Sequence, residues 1–161
     1  MIKIRKATAE DENQIWEIFS KVIATGDTYV FPPDTPRKAL NQYWLAAHMD
    51  TFIAEEDDKL LGTYMIKPNQ IGLGNHIANC GYMVSPEAQG RGIGKELCEH
   101  SLRYAKTCDY YAIQFNIVVS TNTAAVALWK KYGFEIIGIT PKGFRHSQLG
   151  LVDTYIMYKA L

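Results

Sequence analysis

The sequence is short of charge imbalance, of cysteine and of long apolar runs, and each shortage removes a class of function. Seventeen basic residues stand against seventeen acidic ones, so the chain carries no electrostatic footprint for nucleic acid or for an anionic membrane. Its cysteines, Cys80, Cys98 and Cys108, are odd in number and far apart, with no Cys-x-x-Cys pair. That pattern argues against a disulfide scaffold and fits a reduced, cytoplasmic protein without structural metal. The histidines His48, His76, His100 and His146 show no metal-ligand spacing. No apolar run nears the length of a membrane span, and the opening MIKIRKATAEDENQ lacks the apolar core of a signal peptide.

What is present is an ordinary globular composition, 47% hydrophobic and 21% charged over 161 residues. That is enough chain for one domain, read as residues 1–161, with a real core. The order of elements is mixed, a single α/β (α+β) domain. IKIRKA alternates as a strand. Thr8 is placed to cap a helix, with Asp11 three residues on and Ile15, Ile18, Phe19, Val22 and Ile23 on one face. Gly26 to Pro36 is too rich in Pro, Gly and Asp to be regular, and Thr35-Pro36 then opens a second helix to about His48. TFIAEEDDKLLGTYMIKP reads as a hairpin turning at Asp57-Asp58. HIANCGYMV is a strand, followed by a helix from about Gly92 to Cys108 and a further strand, YAIQFNIVV. NTAAVALWKKYG is a helix closed by Gly133, and FEIIGIT and LVDTYIMYKA are the last strands. The run Arg145-His146-Ser147 reads as a solvated loop.

The unusual stretch is SPEAQGRGIGKELCEH, with Gly90, Gly92 and Gly94 alternating at the entry to a helix. A Rossmann fingerprint counted from Gly90 would need glycine where Lys95 stands. A Walker A motif ending at Gly94-Lys95 would need glycine at Gln89 and Ser or Thr at Glu96. Both fail. What remains is a strand, a glycine turn and a helix start, which aims free amides and the positive end of a helix dipole at an anion. Arg91 adds a cation. The alternative is a tight turn with no ligand.

Together with NTAAVALWKKYGF further on, this stretch resembles the GNAT superfamily of acetyl-CoA-dependent N-acetyltransferases. The family's Q/R-x-x-G-x-G/A signature falls on Gln89, Gly92 and Gly94, and its N-x-x-A…GF pattern on Asn122, Ala125, Gly133 and Phe134. The resemblance implies a mixed central sheet of about seven strands with four helices, splayed at strands 4 and 5. It implies that amides of Gln89, Gly90, Arg91, Gly92, Ile93, Gly94 and Lys95 hold the pyrophosphate of acetyl-CoA. It also implies that the strand at Met83 and Val84 pairs with the pantetheine arm, and that Asn122 hydrogen-bonds the cosubstrate. No metal is implied; the partner is a small-molecule amine, and a homodimer is compatible.

Two positions depart from the usual family pattern. The glutamate base of the strand before the glycine loop is Asn79 here, and the tyrosine acid after the leucine of the second motif is Trp129. Tyr132 is the nearest phenol to that second position. HIANCGYMV, FNIVVSTN and LWKKYGF, which carry these departures, also resemble the fungal acetyltransferases that act on proline analogues such as azetidine-2-carboxylate, and their bacterial relatives. In that group the resemblance implies that Asn79 and Asn116 engage an amino-acid substrate. An amide offers both donor and acceptor to an amine and a carboxylate, although either asparagine can equally be structural. Thr28, Tyr29 and Phe31 fall in the segment that resembles a cover over the acceptor site, as lid or as packing. Tyr155 is either core or acceptor lining. The expectation is direct acetyl transfer to a small amino-acid-like amine. A protein or peptide N-acetyltransferase, or an acyl-CoA sensor without turnover, are the alternatives.

Overall fold

A computed structural model describes residues 1–161. Its sheet has seven strands: β1 (Lys3–Lys6), β2 (Asp50–Glu56), β3 (Lys59–Pro68), β4 (Ile77–Val84), β5 (Ala112–Val119), β6 (Glu135–His146) and β7 (Gly150–Ala160). They lie side by side in the order β1-β2-β3-β4-β5-β7-β6. Every neighbouring pair is antiparallel except β4 and β5. Four helices complete the fold: α1 (Glu12–Ala24), α2 (Leu40–Tyr43), α3 (Ile93–Thr107) and α4 (Thr123–Lys131).

The helix entry at Thr8 forms through Asp11, whose carboxylate accepts the Thr8 N–H at 2.7 Å and its hydroxyl at 3.1 Å. Asp11 is also gripped by both arms of the Arg5 guanidinium, at 2.8 and 2.9 Å, and Arg5 reaches on to Glu55 at 2.8 and 3.0 Å. These charge-assisted bonds pin β1, β2 and the start of α1 together. Ile15, Ile18, Phe19 and Ile23 form the buried stripe of α1, as their spacing predicts.

The hairpin turns at Asp57-Asp58, both with positive φ (50° and 61°). That is the left-handed pair a two-residue hairpin requires and aspartate tolerates. The second helix, in contrast, does not reach His48. It is a single 3-10 turn (Arg37–Ala39) followed by Leu40–Tyr43. Trp44 stops it: fully buried, its indole N–H donates to Thr63 at 3.1 Å and its carbonyl accepts the Thr51 hydroxyl at 2.5 Å. A residue held by the sheet at both ends cannot continue a helical turn. β6 is also longer than expected. It runs through Arg145 and His146 by crossing an irregularity between Thr140 and Phe144.

The core is two-sided. One cluster, with Ile15, Phe19, Trp44, Met65 and Met83, lies beneath α1 and α2. The other, with Tyr64, Cys80, Leu97, Phe115 and Trp129, lies beneath α3 and α4. Residues Leu60 to Ile66 of β3 are buried without alternation because both faces of that strand are covered.

The feature that matters for function is the join between β4 and β5. The two strands pair only at Ile77–Ala112 and Ala78–Ile113, then part. The Tyr82 ring stands in the opening, 4.8 Å from Trp129 and 5.9 Å from Phe115 between ring centres. The Tyr82 hydroxyl reaches Ser101 of α3 at 2.7 Å, and β5 is irregular between Phe115 and Val118, just beyond the point of parting.

Candidate active site

The glycine loop leaves β4 through one 3-10 turn (Pro86–Ala88) and enters α3 at Gly92. Gly90 and Gly92 have φ of 79° and 78°, which costs a residue with a Cβ roughly 1–2 kcal/mol. A Cβ on either would meet nothing within 4 Å. The glycines therefore answer to backbone conformation and to open space above the loop, which a side chain would fill. Ile93 is buried as the anchor, and the first-turn amides of α3 have no carbonyl one turn back to meet. A 15-residue helix with an open N-terminus fits a phosphate group. Arg91 does not act as a free cation here, because its guanidinium pairs with Glu56. Lys95 remains largely exposed, 3.9 Å from Glu99.

Beyond the loop, the parting of β4 and β5 opens two connected clefts. The larger, about 460 Å³, is lined by Thr28, Tyr29, Phe31, Asn79 and Asn116, together with Gln42, Tyr43, His48, Met49, Met65, Lys67 and others. The smaller, about 120 Å³, runs between Tyr82, Val118, Asn122, Ala125 and Trp129. Thr28, Tyr29, Cys80, Gly81, Phe115 and Ile117 line both. Five of the six residues proposed from sequence for the acceptor thus share one cleft. Tyr155 does not line it; it pairs with Val118 and Ile139 and packs on the core. Met83 and Val84 likewise turn their side chains to the two cores. The Met83 backbone faces β3, opposite Thr63, so of the two only the Val84 backbone lies on the open edge.

The segment at Thr28–Phe31 is both cover and packing. Phe31 stacks on Tyr43 with ring centres 4.7 Å apart and on Tyr29 at 5.9 Å. The Tyr29 hydroxyl accepts the Tyr82 N–H at 2.7 Å and donates to the Tyr82 carbonyl at 2.6 Å. It sits on the edge of β4 that has lost its partner strand. Burial pushes the Tyr29 phenol well above its ordinary pKa. Gly81 keeps this floor flat, since a Cβ there would lie 3.1 Å from the Trp44 ring.

The asparagines are held differently. Asn79 donates from Nδ2 to the Gln114 carbonyl at 3.0 Å, bridging the first register position at which β4 and β5 no longer pair. Its Oδ1 takes no hydrogen bond within the protein. Asn116 donates to Asn69 at 2.7 Å and accepts from Gln114 Nε2 at 3.1 Å, so both ends of its amide are engaged. Asn122 caps α4, its Oδ1 facing the Ala125 N–H at 3.4 Å, which leaves its NH2 for the smaller cleft.

No carboxylate lines either cleft. Trp129 is buried against Phe115 and Tyr82 and has no proton suited to a thiolate. Tyr132 is elsewhere, donating to Glu99 at 2.6 Å, and that contact pushes its pKa up to about 12. Cys80 borders both clefts, yet burial pushes its thiol up to about 12, so it is no thiolate nucleophile. No three His, Cys, Asp or Glu side chains gather as a metal-ligating group. Sequence reading missed Lys67, His48, Gln42, Tyr43 and Met49. Lys67 could have been found from the antiparallel register of β3 on β4, which sets it opposite Asn79; the others depend on where α2 ends.

The model of the acetyltransferase (GNAT) family matches residues 13–134. A solved structure described as a GCN5-related N-acetyltransferase from Kribbella flavida is 34% identical. It superposes with a TM-score of 0.95 over 99% of this chain and 98% of that one. A phosphinothricin acetyltransferase from Sinorhizobium meliloti, solved in complex with acetyl-CoA, shares the fold at a TM-score of 0.89 and 18% identity, over 99% of this chain and 88% of that one. Among curated proteins, the N-acetyltransferase aca1 of Schizosaccharomyces pombe is 38% identical over 98 residues, which is 60% of this chain and 47% of that protein. The chain therefore spans about half the length of this curated relative. No helix is long and apolar enough to cross a membrane. With a family model over most of its length and a near-complete superposition on a GCN5-related enzyme, the chain belongs to the acetyltransferase (GNAT) family.

Proposed function

We propose that this acetyltransferase domain moves the acetyl group of acetyl-CoA directly to the amine of a small amino-acid-like acceptor. The observation that carries this reading is the pair of joined clefts. One lies beside the Asn122 end of α4, the other at Asn79 and Asn116, and they share the unpaired edge of β4. In this reading the open amides at Gly90, Gly92, Ile93, Gly94 and Lys95 hold the pyrophosphate. The β4 backbone at Tyr82 and Val84, whose N–H and C=O groups face the gap, and the Asn122 amide hold the arm. The acceptor enters from the larger cleft.

The chemistry follows from the side chains present. Asn79 Oδ1 accepts an N–H of the neutral amine and turns its lone pair toward the thioester carbonyl. β4 amides facing the gap stabilise the oxyanion that forms as the C–N bond is made. Breaking the C–S bond then releases the thiolate, and the proton lost by the amine balances the one that water returns to sulfur. No side chain needs to act as a strong base, and rate comes from positioning. The three free thiols, one of them exposed, fit a cytoplasmic setting.

A thiol-release assay with acetyl-CoA and a panel of amino acids tests the proposal. Turnover with an amino acid supports it. Turnover only with peptide N-termini would move the function to protein acetylation, and tight acetyl-CoA binding without turnover would make the domain a sensor.

A further inference from the structure

The larger cleft has a charge inventory of one. Of the residues lining it, Lys67 alone carries a permanent charge, and no Asp or Glu is among them. Lys67 is half-buried, and it appears in none of the protein's ion pairs. It is registered directly opposite Asn79 across the β3–β4 ladder. Opposed residues on an antiparallel pair share a face, with Cβ atoms about 4.5–5.5 Å apart. A lysine stem is therefore rooted beside the free Oδ1 of Asn79, inside the cavity and without a counter-ion. An ammonium on that stem, with no acidic side chain among the lining residues, is placed to form a charge-assisted hydrogen bond to an anionic ligand.

We propose that Lys67 reads a carboxylate on the acceptor and that the cleft selects amines bearing a negative charge next to the nitrogen. This rests on the acetyltransferase reading above and sharpens it. Asn79 Oδ1 takes the amine, Lys67 takes the carboxylate, and their adjacency matches the short distance between those groups in an amino acid. Two classes are then disfavoured. A peptide N-terminus carries a neutral amide where the carboxylate should be, and a polyamine places a second cation near Lys67. Lys67 does no proton transfer; it is a specificity-determining group.

The test compares wild type with Lys67→Met, which keeps the stem and removes the charge, and with Lys67→Arg. The probes are the twenty standard amino acids and azetidine-2-carboxylate, each paired with its own carboxamide. Calorimetric titration into the CoA-loaded protein is run beside kcat/KM, so that binding is read even where turnover is absent. Wild type should favour the acid over its amide. Lys67→Met should lose about 10- to 100-fold on the acid, the scale of a hydrogen bond to a charged group, with the amide unchanged and acetyl-CoA affinity unchanged. Lys67→Arg should retain most of the preference. Equal losses on acid and amide in Lys67→Met, or a wild type that binds both alike, would overturn the assignment while leaving the transferase reading standing. A wild type that binds amino acids through Lys67 but transfers nothing would instead overturn the transferase reading alone.

Discussion

The hydroxyl of Tyr29 occupies the backbone of Tyr82, accepting its N–H at 2.7 Å and donating to its carbonyl at 2.6 Å. In a paired strand those two groups would belong to a neighbouring strand. Here β5 has turned away, and a side chain from the cover segment takes its place. The same backbone edge faces both clefts, so the cover and the thioester compete for it under the proposed function.

Tyr29→Phe should relieve that competition. Loss of the hydroxyl leaves the Tyr82 amide free, and acetyl-CoA affinity should rise by about 2- to 10-fold, the scale of one neutral hydrogen bond. Acceptor KM should rise at the same time as the cover loosens. Calorimetry with acetyl-CoA decides it: weaker binding would mean that the hydroxyl and the thioester do not contend for one site.

The glycine loop gives a second test. Gly92→Val puts a branched Cβ at φ of 78° into space where nothing lies within 4 Å. Acetyl-CoA affinity should fall by at least about tenfold, while the strain lowers stability by only about 1–2 kcal/mol, so the variant remains folded by circular dichroism. Gly94→Val should weaken binding too, although its Cβ would rest 3.6 Å from Leu128. Unchanged affinity in folded variants would remove the loop from the coenzyme site.

Transfer should proceed without an acetylated enzyme. Burial pushes both Cys80 and Cys98 up to about 12, far above the range of a reactive thiol. A variant with Cys80, Cys98 and Cys108 all changed to Ala should keep turnover within a few-fold. An acetyl adduct by intact mass, or ping-pong kinetics, would contradict direct transfer.

Much of this architecture is visible in the sequence, for local reasons. The turn at Asp57-Asp58, the glycines at the start of α3 and the helix entry at Thr8 with Asp11 are each set by the conformational needs of one or two residues. Where the sequence misleads, a distant contact decides. Trp44 ends α2 because Thr51 of β2 and Thr63 of β3, 7 and 19 residues further along, hold it from the sheet. β6 continues past Thr140 because β7 is there to pair with it. Arg91 looks like a free cation until Glu56 is placed beside it. Lys67 enters the cleft through the register of β3 on β4, and His48 through the early end of α2, so nothing local marks them.

Stability should depend on pH through Asp11. Its bonds to Arg5 hold its carboxyl below the ordinary value of 3.8, so the folded state binds that proton less readily than the unfolded chain. The stabilisation is therefore complete above the unfolded pKa and is lost as pH falls through the lower, folded value. Asp11→Asn should lower Tm at neutral pH, and the gap from wild type should close as the buffer is taken below about pH 4. A gap constant across that range would mean the ion pair contributes nothing through its charge.

The absent base makes the sharpest prediction. With Asn79 where a carboxylate would stand, nothing on the β4 side of the cleft removes a proton from the acceptor, so the amine must arrive neutral. At subsaturating acceptor, log kcat/KM should climb with unit slope up to the acceptor amine's own pKa and move with that pKa from one acceptor to another. An inflection that stays fixed across acceptors and disappears in His48→Gln would make that cleft-lining imidazole the base. Asn79→Ala should cost about 1.5–3 kcal/mol in transition-state binding, roughly one to two decades in kcat/KM, with acetyl-CoA affinity intact. Asn116 differs, because both ends of its amide are already bonded, to Asn69 and Gln114. A second N–H and a second lone pair stay open on it, but its two bonds fix its orientation, and through the Gln114 side chain it steadies the residue whose backbone carbonyl holds Asn79. Asn116→Ala should therefore show a smaller loss, and adding it to Asn79→Ala should change little, since the chain from Asn116 to the acceptor runs through Asn79. Strictly additive losses would mean that Asn116 touches the acceptor independently. If both single variants match wild type, neither amide meets the substrate, and the acceptor site lies elsewhere in the cleft.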